Sequence, residues 1–263
     1  MNLFWQLTKL SFRLQFSYRT ATLAGLATNL FFGLLRAAVL IALYGARSQV
    51  AGISLAGAIT YTGVSQASIS FLSLFSWFDL MRSVYSGEVG ADLLKPMNYF
   101  QYWMAQDLGR ALFNLLLRGA PIMLFYALVF GITIPHGALQ WLGLGASLLL
   151  AWMLSFSYRF LINLAAFWTP EATSIGRLGY SLAWFTSGFL MPLRFFPDWF
   201  VRLCLLTPFP QMINTPVEIY LNLTSGKALA LALLWQASWV IVLIAGGQLV
   251  LRAGVRRLEI LGG

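Results

Sequence analysis

Apolar residues along this chain fall into long blocks, and polar residues fall between them. The blocks run Ala21–Tyr44, Leu55–Leu80, Ala111–Ile134, Ala138–Trp168, Leu178–Leu193 and Ala228–Leu251. A helix needs about 20 mostly apolar residues to cross the hydrocarbon layer of a bilayer. Five blocks meet that length, and the block at 178–193 is short. None keeps a sustained alternation of period two, so the pattern predicts helices and not a β-barrel. The predicted fold class is an all-α integral membrane protein with six transmembrane helices in a single domain, 1–263.

The first 20 residues follow a different rule. Lys9, Arg13 and Arg19 are spread among Phe4, Trp5, Leu7, Leu10, Phe12, Leu14 and Phe16. A secretion signal gathers its positive charges ahead of one apolar run. Here the mixture predicts an N-terminal amphipathic interface helix over 1–20.

Two further segments are neither spans nor plain loops. Arg82–Tyr102 places Val89, Leu93 and Leu94 at helical spacing among Glu88, Asp92 and Lys95. Pro96 ends or bends that helix, because its ring removes a donor and crowds the preceding turn. Leu193–Asn222 holds Pro197, Pro208, Pro210 and Pro216, and Pro192 stands immediately before it. Asp198–Thr207 within it is apolar but too short to cross. That composition predicts a pair of outer re-entrant helices over 193–222.

Composition strengthens the membrane assignment. Hydrophobic residues make up 59% and charged residues 10%, against about 25% charged in soluble domains. Mean hydropathy is +0.76. The net charge of +9 does not point to nucleic acid, since the basic residues flank apolar blocks. Their distribution sets topology instead. With the N-terminus in the cytoplasm, ten Lys and Arg residues fall inside and four outside. The positive-inside rule therefore favours cytoplasmic termini and an even number of crossings.

The candidate chemistry is sparse. Cys204 is the one cysteine and His136 the one histidine, so neither a cysteine-based nor a His-pair metal site is expected. No P-loop is present; Gly226–Lys227 lacks both the first glycine and the following Ser or Thr. Ala21, Gly25, Asn29 and Gly33 form a four-residue repeat of small side chains on one helix face. Such a stripe serves a dimer or gating seam, or ordinary packing within the chain. Arg36, Arg118 and Arg159 lie inside predicted spans, where each is expensive against lipid, at about 2.5–3.5 kcal/mol. Arg36 and Arg159 are the candidates for a translocation pathway or polar network; Arg118 can snorkel towards an interface. Asp79 and Glu171 sit only at span ends, so none of the three has a membrane-embedded acid partner in sight.

The order of three motifs resembles the membrane subunit of an ABC-2 type exporter, closest to the branch of ABC-2 family transporter proteins. They are SGEVGADLLKPMNYF at 86–100, SGFLMPLRFFPDWF at 187–200 and LLTPFPQMINTPVEIY at 205–220. The resemblance implies a permease of the bacterial cytoplasmic (inner) membrane that exports cargo as one of a pair of identical or related chains. It implies separate ATPase subunits that carry ATP and Mg, with no catalysis and no cofactor in this chain. Those subunits would grip a coupling helix at 86–100, through Glu88, Asp92, Leu93, Leu94, Lys95 and Pro96. The turn Glu171–Arg177 is a secondary contact. Set against this is an ion-coupled secondary transporter or channel that acts without an ATPase. A lipid-modifying intramembrane enzyme is a third possibility, weakened by the lack of clustered acids or histidines.

Overall fold

The computed structural model describes residues 2–74 and 77–257. Residues 75 and 76, inside the second predicted span, lie outside the described residues. Helix α1, Leu3–Leu14, passes through a 3₁₀ turn into α2, Arg19–Tyr44. A two-residue hairpin follows, with β1 at Gln49–Val50 pairing antiparallel to β2 at Ile53–Ser54. Next come α3 at Leu55–Leu72, and the short helices α4 at Asp79–Tyr85 and α5 at Val89–Leu93. Then α6 at Tyr99–Asn114 joins α7 at Ala120–Phe130 through a π-turn at Leu115–Gly119. The chain continues with α8 at Ala138–Asn163, α9 at Ala172–Thr186, α10 at Asp198–Leu205, α11 at Asn214–Tyr220 and α12 at Gly226–Val255.

Among the described residues, four helical stretches are long and apolar enough to cross a membrane: Leu3–Tyr44, Tyr99–Phe130, Ala138–Phe167 and Gly226–Val255. Two predicted spans fall outside that set for physical reasons. Every residue of α3 from Gly57 to Leu72 is buried among other helices. A helix that meets protein on every side has no lipid to match, so it tolerates Thr60, Thr62, Ser65, Gln66 and Ser68. Helix α9 has 15 residues, which gives about 22 Å at 1.5 Å per residue. It begins at Ala172, before the predicted start at Leu178, and its last turn gives way to the outer segment at Ser187.

Local chemistry accounts for the helix ends. Asn98 caps α6, its side-chain oxygen accepting from the Phe100 and Gln101 amides at 3.0 and 3.3 Å. The preceding Pro96 cannot continue a helix, so the cap restarts it. The π-turn comes just ahead of Pro121, whose ring lacks a donor and would clash with the carbonyl four residues back. A wider turn at that point relieves the clash without breaking the rod.

Helix α8 serves as a ruler. Near its start, Gln140 donates to the Ile219 and Tyr220 carbonyls at 3.2 and 2.6 Å, holding the end of α11. At its finish, Asn163 accepts from the Met81 amide at 3.2 Å, holding α4. Those positions are about 35 Å apart along a helix, comparable to the bilayer core of about 30 Å. The two irregular segments therefore sit at opposite ends of the bundle. Gly254 of α12 packs on Phe167, and α1 packs on α6. Both ends of the described chain thus lie at the α4–α5 end.

The α1–α6 contact is unusually close. A Cβ on Gly109 would lie 2.3 Å from the Thr8 carbonyl oxygen and 2.8 Å from the Phe12 nitrogen, and the Ser11 hydroxyl donates to the Gln106 carbonyl at 2.6 Å. The obstructing Thr8 and Phe12 atoms are backbone, which cannot swing aside. Gly109→Ala is therefore expected to lift α1 off α6, at about 1–3 kcal/mol. Hydrogen exchange will show it as faster exchange over 3–14 with α8 unchanged.

Candidate functional site

The site is a buried polar network at the α4–α5 end of the bundle. Arg159 on α8 is fully buried, and Asp107 on α6 is 1% exposed. They meet as a two-pronged pair, Nη1 donating to Oδ1 at 2.9 Å and Nη2 to Oδ2 at 2.8 Å. Asp107 also accepts from Arg110 at 3.0 Å and from the Trp152 indole at 2.9 Å. All four of its strong acceptor positions are thereby filled. Arg159 Nε donates to Ser155 Oγ at 3.3 Å.

This corrects the sequence-based expectation that no intramembrane acid faces the arginines. The third predicted span started at Ala111, but the helix starts at Tyr99, so Asp107 lies within it. The cluster of charge at Asp107 and Arg110 lowers hydropathy there and hides the helix's first turns.

The network reaches the surface through Asp79 on α4. Arg110 donates to Asp79 at 3.0 Å, and Arg82 forms a second, very short pair with it. A parallel set of contacts anchors the same segment. Asn163 donates to the Trp77 carbonyl at 2.8 Å, and the Tyr180 hydroxyl of α9 donates to that carbonyl at 2.7 Å. Helices α4, α6, α8 and α9 are thereby bound into one unit.

The predicted coupling residues divide into two groups. Asp92 is buried and structural: it accepts from Ser83 at 2.8 Å and from Lys95 at 2.6 Å. Lys95 also donates to the Tyr102 hydroxyl at 2.7 Å. Burial pulls the Lys95 ammonium down, but those two hydrogen bonds and the Asp92 charge more than offset it and raise its pKa. Leu93 is half-buried. Glu88 and Pro96 are exposed, and Leu94 is 87% exposed. Val89, expected at helical spacing with Leu93 and Leu94 but not named among the coupling contacts, seats α5 in an aromatic cluster with Trp77, Tyr99 and Phe100. Gly87 turns the chain between α4 and α5 at φ +78°, a conformation that side chains resist. Glu171 and Arg177 are exposed. Tyr85 of α4 donates to the Thr169 carbonyl at 3.3 Å, so the Glu171 turn and the coupling segment adjoin.

The small-residue stripe on α2 packs within the chain. Gly25 lies against the Arg118 guanidinium, and Arg118 donates to the Ala21 carbonyl at 3.0 Å. Asn29 donates to Ser70, and Gly33 and Gly63 flank the Tyr126 ring. Arg36 is not part of the network around Asp107. It donates to the Phe189 carbonyl and to Ser65 at 3.0 Å, tying α2 and α3 to the turn that follows α9. Gly188 in that turn has φ +82°, and a Cβ there would meet Tyr61 and Asn214. The Tyr61 hydroxyl lies 2.8 Å from the Gly188 carbonyl, and Asn214 accepts from the Leu193 amide at 3.2 Å. The motifs at 187–200 and 205–220 thus meet at one polar node, and Arg194 pairs with Glu218 at 2.7 Å just beyond it.

A helical multi-pass membrane protein, with a welded polar end and a cap of short helices opposite, is the class these features define. The chain belongs to the ABC-2 family transporter proteins, whose family model matches residues 30–262. No curated protein and no solved structure matches it.

Proposed function

We propose that this chain is the permease subunit of an ATP-binding-cassette exporter, driven by separate ATPase subunits that hold ATP and Mg. Membership of the ABC-2 transporter family carries the proposal. Segment 86–98 supports it from geometry: Glu88, Leu94 and Pro96 are exposed, while Val89 and Asp92 are buried and fix the segment to the welded end, which suits a lever. Six crossings, with both termini on the cytoplasmic side, accord with the basic residues and with both ends of the described chain, residues 2 and 257, lying at one end of the bundle. The membrane is the bacterial inner membrane.

ATP binding closes the partner subunits. The displacement enters at Glu88, Leu94 and Pro96 and moves α4, α6, α8 and α9 together. Differential binding of ATP to two conformations biases the transport cycle. A second permease chain, identical or related, completes the pathway. Helix α9 supports that role: Ile175, Leu178, Leu182 and Phe185 form an exposed apolar stripe, and the helix packs mainly on α8 within its own chain.

Asp107 does not favour the alternative of ion coupling. Two guanidiniums and an indole occupy its carboxylate, whereas a carrier site must release its ion. The deciding measurement is co-purification from native membranes. A nucleotide-binding subunit is expected to accompany the chain. Nucleotide-independent transport by the purified chain in liposomes would overturn the reading.

A further inference from the structure

The cleft between α1 and α6 has a volume of about 300 Å³ and was not anticipated from the motifs. One wall is apolar, built from Leu7, Leu10 and Leu14 of α1. The other is polar and includes Tyr102, Gln106 and Arg110 of α6. Gln106 and Arg110 are four residues apart, on one helix face. Gln106 Nε2 and Arg110 Nε are buried with no acceptor among the described residues. Buried donors in native proteins are nearly always satisfied, and both of these are N–H groups that need an oxygen. Asp79 also lines the cleft, but Arg82 and Arg110 already hold its carboxylate. The network beneath has three guanidiniums, Arg82, Arg110 and Arg159, against two carboxylates, Asp79 and Asp107, so one positive charge is in excess. Residues 1–20 add Lys9, Arg13 and Arg19 and no acid.

We propose that this cleft binds an anionic phospholipid, with its phosphate oxygens on Gln106 and Arg110 and an acyl chain along the leucine wall. The leucines favour a lipid over a free phosphate ion, because an ion makes no use of apolar area. The excess charge favours an anionic headgroup over a zwitterionic one. The bound lipid would cement α1 to α6 at the end of the bundle that carries the polar network.

Native mass spectrometry and thermal shift on the delipidated full chain in detergent test this. Phosphatidylglycerol is expected to stay bound and to raise the melting midpoint. Phosphatidylcholine should bind at least tenfold more weakly, and inorganic phosphate should give no shift. Gln106→Leu removes one hydrogen bond to a charged group and should weaken phosphatidylglycerol about tenfold. Leu10→Asp, on the exposed wall, should do the same through the acyl chain without touching the polar floor. Equal binding of the two lipids, indifference to both variants, or a full shift with inorganic phosphate alone would each overturn the proposal.

Discussion

Asp107→Ala will strip Arg159 of its counter-charge and greatly reduce the folded chain recovered from membranes. Arg159 is wholly buried, so no water can replace the carboxylate. Removing one partner of a buried pair costs about 3–5 kcal/mol, which is a large part of a typical domain's total stability. Arg159→Met should be milder, because Asp107 keeps Arg110 and Trp152 as partners. The double variant Asp107→Leu with Arg159→Met should recover much of the loss of Asp107→Ala, since buried ion pairs are often replaceable by apolar groups of similar volume. Thermal midpoints of the purified variants, with Asp107→Leu alone added to close the double-mutant cycle, measure the coupling. A wild-type midpoint for Asp107→Ala would show that the pair has no such weight.

That pair marks the boundary of what hydropathy can reveal. The positions of α2, α8 and α12 are visible as apolar blocks because those helices each carry exposed large apolar side chains. The full length of α6 is not visible. Its first turns carry Gln101, Gln106, Asp107 and Arg110, and the partners of Asp107 and Arg110 include groups of α4 and α8, which are distant in sequence. Arg159 alone announces that something polar must face it; only the fold says that the partner is Asp107. The stripe Ala21, Gly25, Asn29 and Gly33 shows the converse limit. Small side chains declare that something approaches closely, and the approaching groups are Arg118, Ser70 and Tyr126 of the same chain. Pattern gives the close approach and cannot give the neighbour. The β1–β2 hairpin went unread as well, since two residues per strand are too few for any periodicity.

The same distinction separates the coupling residues that bear structure from those free to bear contact. Leu94→Asp should leave the melting midpoint unchanged, because an 87% exposed side chain contributes little to the fold. If the ATPase subunit closes over Leu94, the lost apolar burial is about 2 kcal/mol. That corresponds to about thirtyfold weaker assembly, with ATP-driven transport falling alongside. Asp92→Lys should behave differently. It removes the acceptor of both Ser83 and Lys95 and sets two ammonium groups side by side. Segment 86–98 would then detach from α4, and both the midpoint and the complex would suffer. Measuring both quantities for both variants is therefore decisive. A Leu94→Asp chain that assembles and transports normally would mean that the exposed tip is not where force enters. Parallel losses in both variants would mean that Leu94 holds the segment's shape, contrary to its exposure.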